Sequence, residues 1–210
     1  MKLLCISDLH GGAEGIGDLS AVDAVVICGD ITHFGDRARA MEILEGFKGA
    51  KRLLAVPGNC DNLDVNEALV EFDVDLHARG RVVGDIGFFG LGGSNATPFN
   101  TPQEYPEDQL WDFLMKGHEQ VANASVKVMV AHTPPFNTEL DKARMTHVGS
   151  KKVREFIETY EPDLMLCGHV HEARGQDRIG ETVLVNPGIF NTGYALVDVG
   201  TEIRVEFFER

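Results

Sequence analysis

The chain has 210 residues, of which 43% are hydrophobic and 25% are charged, values typical of a folded domain and not of a disordered or collagen-like chain. Its formal net charge of -14 repels phosphate backbones at long range, so we expect no binding to nucleic-acid duplexes. No apolar run approaches the roughly 18 residues that span a bilayer, and Met1 leads directly into a strand without a signal peptide. We therefore expect one domain over residues 1–210, in the cytoplasm and without membrane contact.

Alternating strands and helices are predicted in the first part of the chain. Apolar runs indicate strands at Lys2–Ile6 and at residues 22–28 and 52–56. Asp36 is placed to cap a helix that ends by Gly49. This order predicts an α/β arrangement with a parallel sheet.

Long loops and a strand-rich tail are predicted in the rest of the chain. Gly11, Gly12 and residues 15–17 suggest a flexible loop after the first strand, and residues 92–105 and 136–149 form two further loops. A loop as long as residues 92–105 is either surface decoration or a lid over a site. Helices are expected to begin near Pro106 and after Ser150. The remaining predicted strands are residues 81–83, 86–91, 126–131, 163–167, 182–185, 194–199 and 202–208.

The four cysteines show no paired Cys-x-x-Cys spacing. Three of them lie in or next to strands that we expect to be buried, so reduced core thiols are favoured over a disulfide framework or a structural zinc site. These residues are Cys5, Cys28, Cys60 and Cys167.

Polar residues follow five of the predicted strands at their carboxyl ends. Side chains alternate along an extended chain, so Asp8 and His10 should point to one side, as should His169 and His171. A strand that ends at the rim of a sheet presents such residues rigidly. The full set is Asp8, His10, Asp30, Asn59, His132, His169 and His171.

This set predicts a metal centre. A single buried histidine is usually an ordinary core residue, but four at strand ends, together with two aspartates and an asparagine, are hard to explain that way. Oxygen and nitrogen donors without thiolate suit Mn, Fe, Co, Ni, Zn or Mg. Seven ligand groups are too many for one small ion, so we expect two divalent metal ions that share a bridging ligand.

The motifs Asp8-x-His10, Gly29-Asp30, Gly58-Asn59-Cys60-Asp61, His132 and Gly168-His169-x-His171 resemble those of the calcineurin-like metallophosphoesterase superfamily, most closely its YfcE-like phosphodiesterase branch. The resemblance implies a four-layer αββα sandwich of two mixed β-sheets flanked by helices. It further implies that Asp8, His10 and His171 hold one metal, that Asn59, His132 and His169 hold the other, and that Asp30 bridges them.

The same resemblance implies a metal-dependent phosphodiesterase in which a bridging hydroxide attacks phosphorus in line. Two divalent ions carry four positive charges against two negative ones from Asp8 and Asp30, so the pocket would attract a small phosphodiester that the acidic surface repels. Paired ions also lower the pKa of a shared water toward 7. Asp30 and Asn59 are thus expected at the catalytic centre.

One residue departs from the pattern of many family members. Cys60 stands where those members have a histidine that protonates the leaving oxygen, and a thiol is a poorer acid for that purpose. We therefore expect hydrolysis of diesters with good leaving groups and weak activity toward alkyl monoesters. His147 and His33 are alternatives for the missing proton donor or for a phosphate contact, with exposed loop histidines as the other interpretation. Asn95 and Arg174 are either substrate contacts or solvated loop residues.

Other functions are compatible with the same motifs. A phosphomonoesterase or nucleotidase would use the same ligands, and a non-catalytic binding scaffold resembling the retromer subunit Vps29 would keep the fold. Members of that second kind lose metal-site histidines, whereas every matched ligand is present here. Small members of the branch often self-associate, so the resemblance leaves a homo-oligomer open.

Overall fold

The computed structural model describes residues 1–12 and 17–210. The glycine-rich loop predicted after the first strand falls partly on residues 13–16, which lie outside the described residues. The strands and helices, in chain order, are β1 (Lys2–Ile6), β2 (Ala24–Cys28), α1 (Arg37–Glu45), β3 (Leu53–Val56), α2 (Val65–Glu71), β4 (Gly80–Val83), β5 (Ile86–Leu91), α3 (Glu107–Gln120), β6 (Val126–Ala131), β7 (Lys142–Ala143), β8 (Thr146–His147), α4 (Lys151–Tyr160), β9 (Leu164–Leu166), β10 (Gly175–Ile179), β11 (Thr182–Asn186), β12 (Gly193–Val199) and β13 (Ile203–Glu209).

Two mixed sheets contain most of the strands. The first has the order β13-β12-β1-β2-β3, in which β1, β2 and β3 are parallel. The second has the order β10-β11-β9-β6-β5-β4, in which β5, β6, β9 and β11 are parallel and the edge strands β4 and β10 are antiparallel to their neighbours. Parallel strands place their carboxyl ends at one edge of a sheet, which is where ligands bind in such folds.

The sheets divide the hydrophobic core into three layers of packed side chains. In β2, Val26 faces the layer between the two sheets, whereas Ile27 faces the layer shared with Leu44 of α1 and with α2. Phe89 and Phe156 belong to the third layer, which packs α3 and α4 on the second sheet. This order of helices, sheet, sheet and helices confirms the predicted four-layer αββα sandwich.

Two helix starts follow their sequence signals. The carboxylate of Asp36 accepts a hydrogen bond from the backbone N–H of Arg39, and the hydroxyl of Ser150 accepts one from the N–H of Val153. Each bond satisfies a donor that the first turn of a helix leaves free. Within the described part of the chain, no helix combines the length and the hydrophobicity that a membrane crossing requires.

Three elements differ from the predictions. The helix α2 was not predicted. It has buried residues at Val65, Ala68 and Leu69, but it is short and lacks a side-chain cap, so its signal in the sequence is weak. The strand β10, an edge strand of polar sequence, was also not predicted. Residues 136–149, predicted as an irregular loop, contain the 3₁₀ turn Glu139–Asp141 and the two-stranded ribbon β7-β8.

Candidate metal centre

The turns after β1, β2, β6 and β9 are joined by backbone hydrogen bonds. The N–H of Asp8 donates to the carbonyl oxygen of Gly29 at 3.0 Å, and the N–H of His10 donates to that of Asp30 at 2.9 Å. In the second sheet, the N–H of Gly168 donates to the carbonyl oxygen of His132 at 3.0 Å. The backbone therefore fixes the relative positions of the turns within each sheet.

The backbone of these turns is left-handed at four of the predicted ligands. The φ angles are 53° at Asp8, 45° at His10, 49° at Asp30 and 68° at His169. Residues other than glycine rarely adopt this conformation, and such strain concentrates at functional sites. The extended backbone assumed for Asp8 and His10 is therefore wrong, but the two side chains converge as expected.

Asp8, His10 and His171 form the first candidate ligand group. Nε2 of His171 lies 3.2 Å from Oδ1 of Asp8 and 3.2 Å from Nε2 of His10. One ligating atom from each of the three residues lies within 4.8 Å of the other two. This is the first of the two predicted ligand sets.

Asn59, His132 and His169 form the second candidate ligand group. Oδ1 of Asn59 lies 2.9 Å from Nε2 of His132 and 2.8 Å from Nδ1 of His169. Nδ1 of His132 donates to the carbonyl oxygen of Cys28 at 2.7 Å, so Nε2 is the ring nitrogen that faces the centre. His169 and His171 thus lie in different groups, and the left-handed backbone at His169 departs from the extended chain of the prediction.

Asp30 lies between the two groups. Its Oδ2 is 3.9 Å from Nε2 of His10, and its Oδ1 is 3.5 Å from Nε2 of His132. The N–H of Cys60 donates to Oδ1 at 2.8 Å. A Cβ atom at Gly58 would collide with this carboxylate, so the turn after β3 requires a glycine there. Each oxygen of Asp30 can therefore serve one ligand group, as a bridging ligand does.

The two carboxylates of the centre are almost completely buried. Burial alone would raise the pKa of Asp8, but the hydrogen bond from His171 and the charge of His132 outweigh it and lower that pKa. Burial raises the pKa of Asp30 to about 6, against the opposing influence of His132. Among the described residues, no lysine or arginine pairs with either carboxylate. Buried carboxylates are usually paired with a cation or bound to a metal, so this donor set fits divalent ions.

Two of the imidazoles are neutral at pH 7. Burial lowers the pKa of His10, and burial together with His132 lowers the pKa of His169 to about 3. The hydrogen bond to Asp8 raises the pKa of His171. Metal binding requires unprotonated ring nitrogens, which His10 and His169 already provide.

Cys60 lies beside the centre. Its sulfur is within 4.8 Å of ligating atoms of His10 and Asp30. Burial, followed by the negative charge of Asp30, raises the pKa of the Cys60 thiol well above its ordinary value. The side chain is therefore a neutral thiol. The other three cysteines are buried and unpaired, as expected.

His147 and His33 occupy different positions relative to the centre. Nδ1 of His147 lies 2.7 Å from Oδ1 of the buried Asp141, and His147 belongs to neither ligand group. Its ribbon packs through β7 against the turn His171–Ala173. The exposed ring of His33 contacts His10 edge-on, with ring centroids 5.4 Å apart. His33 thus lies at the rim of the centre.

Asn95 and Arg174 both make hydrogen bonds within the chain, so neither is simply a solvated loop residue. Nδ2 of Asn95 donates to the carbonyl oxygen of Val148 at 3.0 Å, and its Oδ1 accepts from the hydroxyl of Thr133 at 2.8 Å. Asn95 therefore links the two long loops beside His132. The guanidinium of Arg174 donates to the carbonyl oxygens of Pro187 and Phe208 and so anchors the end of the chain.

Asp61 has a supporting role that the sequence analysis missed. Its carboxylate accepts hydrogen bonds from the N–H groups of Ile31, Thr32 and Gly58 at 2.7–3.1 Å, which ties the turn after β3 to the turn after β2. The residue stands in the Gly58-Asn59-Cys60-Asp61 motif, and aspartate in a tight turn commonly binds backbone N–H groups. Its position in this motif was the signal from which the role of Asp61 could have been predicted.

The loop over residues 92–105 is bound to the turn that carries Asn59. The N–H of Gln103 donates to the carbonyl oxygen of Asn59 at 3.2 Å, and its side chain donates to that of Asp61 at 3.1 Å. Gln103 is fully buried. The loop is thus a support of the centre, a role that neither predicted alternative included.

Comparisons with known proteins agree with this geometry. The family model of calcineurin-like phosphoesterases matches residues 1–173. The uncharacterized protein MJ1162 of Methanocaldococcus jannaschii is 39% identical over 196 residues, which cover 89% of this chain and 88% of that protein. The crystal structure of TT1561 of Thermus thermophilus has the same fold, with a TM-score of 0.76 and 19% identity over 99% of this chain and 98% of that one. This chain belongs to the calcineurin-like phosphoesterase family.

Proposed function

We propose that this protein hydrolyses small phosphodiesters at a centre of two divalent ions, with Mn favoured over Ni, Fe, Co, Zn and Mg. Family membership supports metal-dependent hydrolysis of a phosphoric ester. The diester preference, the dinuclear centre and the YfcE-like assignment are parts of the proposal.

The observation that carries the proposal is the position of Asp30. Its two carboxylate oxygens face histidines of different ligand groups, 3.9 Å from His10 on one side and 3.5 Å from His132 on the other. A carboxylate with one oxygen toward each group can bind one ion on each side. This arrangement supports two adjacent ions with Asp30 between them.

Bound divalent ions would supply an activated water and neutralise charge on the phosphoryl oxygens. The residues of the chain would hold the ions in position. Asp8 and Asp30 supply the negative charge that retains the ions, and Asn59 contributes a neutral oxygen. The pocket would keep a net positive charge within an acidic protein, which favours a phosphate ester.

The leaving group is expected to receive little help from Cys60, because its thiol holds its proton tightly. His147 is the proposed proton donor. Asp141 fixes its Nδ1 at 2.7 Å, and its Nε2 has no hydrogen-bond partner among the described residues. A histidine oriented by a buried carboxylate is a common arrangement for proton transfer.

The test compares bis-p-nitrophenyl phosphate with p-nitrophenyl phosphate. Chelator-stripped protein is assayed without metal and with Mn, Ni or Mg, beside Asp30→Asn and the control Asp112→Asn, which alters a carboxylate on α3 that belongs to neither ligand group. We expect metal-restored hydrolysis that favours the diester, is lost in Asp30→Asn and is kept in Asp112→Asn.

Two other outcomes would replace the proposal. Faster hydrolysis of the monoester would assign a phosphomonoesterase or nucleotidase to the same centre. Protein that binds two ions but hydrolyses neither ester, nor any other member of a phosphoester panel, would favour a non-catalytic scaffold.

A further inference from the structure

The side-chain amide of Asn59 has different partners at its two ends. Oδ1 lies 2.9 Å from Nε2 of His132 and 2.8 Å from Nδ1 of His169. Nδ2 donates to the hydroxyl oxygen of Thr101 at 2.9 Å, and the sulfur of Cys60 lies 3.7 Å from the same nitrogen. The amide nitrogen is therefore directed away from the ligand group.

The hydroxyl of Thr101 is itself oriented by Glu104. Oε1 of Glu104 accepts from the Thr101 hydroxyl at 2.7 Å and from the Thr101 N–H at 2.7 Å, and Thr97 supplies a further N–H and hydroxyl. Burial would raise the pKa of Glu104, but the hydrogen bonds from Thr97 and Thr101 outweigh it and lower that pKa to about 2. Glu104 is thus an ionised acceptor at neutral pH.

The positions of the protons follow from this arrangement. A carboxylate accepts hydrogen bonds and donates none, and a hydroxyl has one proton. The proton of Thr101 is committed to Glu104, so the Thr101 oxygen can only accept. Asn59 must then present its NH₂ group to Thr101 and its oxygen to His132 and His169.

We propose that Thr101 and Glu104 are positioning residues that fix the orientation of the Asn59 amide and thereby make Asn59 a metal ligand. The inference rests on the proposed two-metal function for the ion that Asn59 would bind. A reversed amide would direct its NH₂ group at the cation and remove an oxygen ligand. Partners that orient metal ligands in this way commonly contribute about 10- to 100-fold to metal affinity.

The loop holds the clamp of Thr101 and Glu104 in place. The N–H of Gln103 donates to the carbonyl oxygen of Asn59, and the N–H of Ser94 donates to that of Gln103 at 3.0 Å. The backbone of Asn59 and its side-chain amide are therefore both fixed by one loop. Loss of the Thr101 hydroxyl or of the Glu104 carboxylate should therefore change metal affinity without altering a ligand.

The chain offers matched variants for the test. Thr101→Val keeps the shape of the side chain and removes the hydroxyl, and Thr101→Ser restores a hydroxyl. Thr97→Val removes a hydroxyl that binds the same Glu104 but does not contact Asn59. Glu104→Gln introduces an NH₂ group that can donate to the Thr101 hydroxyl oxygen. The Thr101 proton would then be free to point toward Asn59.

Mn²⁺ titration of chelator-stripped protein measures the effect. Each variant is made both in the parent protein and in His171→Ala, because the latter disrupts the other ligand group and leaves the Asn59 group intact. We expect Thr101→Val and Glu104→Gln to weaken binding at the Asn59 group by about 10- to 100-fold. Thr101→Ser and Thr97→Val should stay close to the parent protein. Equal weakening in Thr97→Val and Thr101→Val, or parent affinity in Thr101→Val, would overturn the proposal.

A metal-free measurement separates this proposal from the proposed function. In stripped protein, the side-chain NH₂ resonances of Asn59 should be protected from solvent exchange in the parent and in Thr97→Val, and should lose that protection in Thr101→Val. If the parent protein binds a single ion, the proposed two-metal function is wrong. The Asn59 resonances would still show whether Thr101 orients the amide. Unprotected resonances in the stripped parent would overturn the clamp.

Discussion

The Nε2 atoms of His10 and His171 lie 3.2 Å apart, and Oδ1 of Asp8 lies 3.2 Å from the second of them. At that distance at most one proton can lie between the two ring nitrogens. At least one of these nitrogens therefore presents a lone pair. These three side chains form a candidate ligand group that is distinct from the one around Asn59.

Removing one histidine from each group should therefore remove one ion at a time. We expect His171→Ala and His132→Ala each to reduce the bound divalent ions from two to one, and Asp30→Asn to weaken both sites. Metal content after equilibrium dialysis measures this. His118→Gln is the control because that ring packs on Phe156 and Tyr160, away from the centre. Loss of both ions in each single variant would contradict two separate ligand groups.

Asp61 is expected to contribute strongly to the stability of the turn after β3. Its Oδ2 accepts from Ile31 and Gly58, and its Oδ1 accepts from the N–H and the hydroxyl of Thr32. Either orientation of an asparagine amide would place NH₂ against two donors. Asp61→Asn should lower the free energy of unfolding by about 2–4 kcal/mol. Urea unfolding in the presence of chelator measures this, and a loss below about 1 kcal/mol, as expected for Asp112→Asn, would contradict it.

His77 should make stability depend on pH. Its Nδ1 accepts from the N–H of Gly92 at 2.8 Å, and burial, followed by the charges of Arg79 and Lys116, lowers its pKa to about 4. The unfolded chain binds this proton near pH 6.5 and the folded chain does not, so stability is complete above pH 6.5 and falls as the pH decreases toward 4. The full change is roughly 3 kcal/mol.

Titration of the His77 ring by NMR tests this expectation directly. Unfolding measured between pH 7 and 4.5 should show a shallower pH slope in His77→Asn, whose amide oxygen can still accept from Gly92. A ring that titrates near pH 6.5 in the folded protein would contradict the prediction.

The thiol at position 60 leaves protonation of the departing oxygen to His147 alone, so a second proton donor at position 60 should weaken the dependence on the leaving group. Cys60→His should raise the rate for esters with alkyl leaving groups relative to p-nitrophenyl esters, because an imidazole near neutral pH is a better proton donor. Cys60→Ser is the matched control, since a hydroxyl is no better an acid than the thiol. An unchanged leaving-group dependence and an unchanged ratio of diester to monoester activity in Cys60→His would contradict this interpretation.

The clustering of the candidate ligands could be predicted because each follows a strand, and the hydrophobic pattern of strands is visible in the sequence. Their geometry could not, since the left-handed backbone at Asp8 and His169 depends on hydrogen bonds between turns that are far apart in the chain. The contact of Thr101 with Asn59 joins residues 42 positions apart through a hydroxyl, and no periodic pattern marks such a pair. The edge strand β10 was missed because an exposed strand of polar residues lacks the apolar signal.

His147 provides the last prediction, because its role as proton donor should be visible in the chemistry of the substrate. A donor matters most when the departing oxygen is a strong base, so His147→Gln should leave p-nitrophenyl esters nearly unaffected and slow alkyl esters by about 100-fold or more. Asp141→Asn should act in the same direction, since Asp141 orients the ring at 2.7 Å. Steady-state rates across a series of aryl and alkyl diesters measure the effect, with metal content checked in each variant. A uniform loss across the series would instead assign His147 to substrate binding or to the structure of the ribbon.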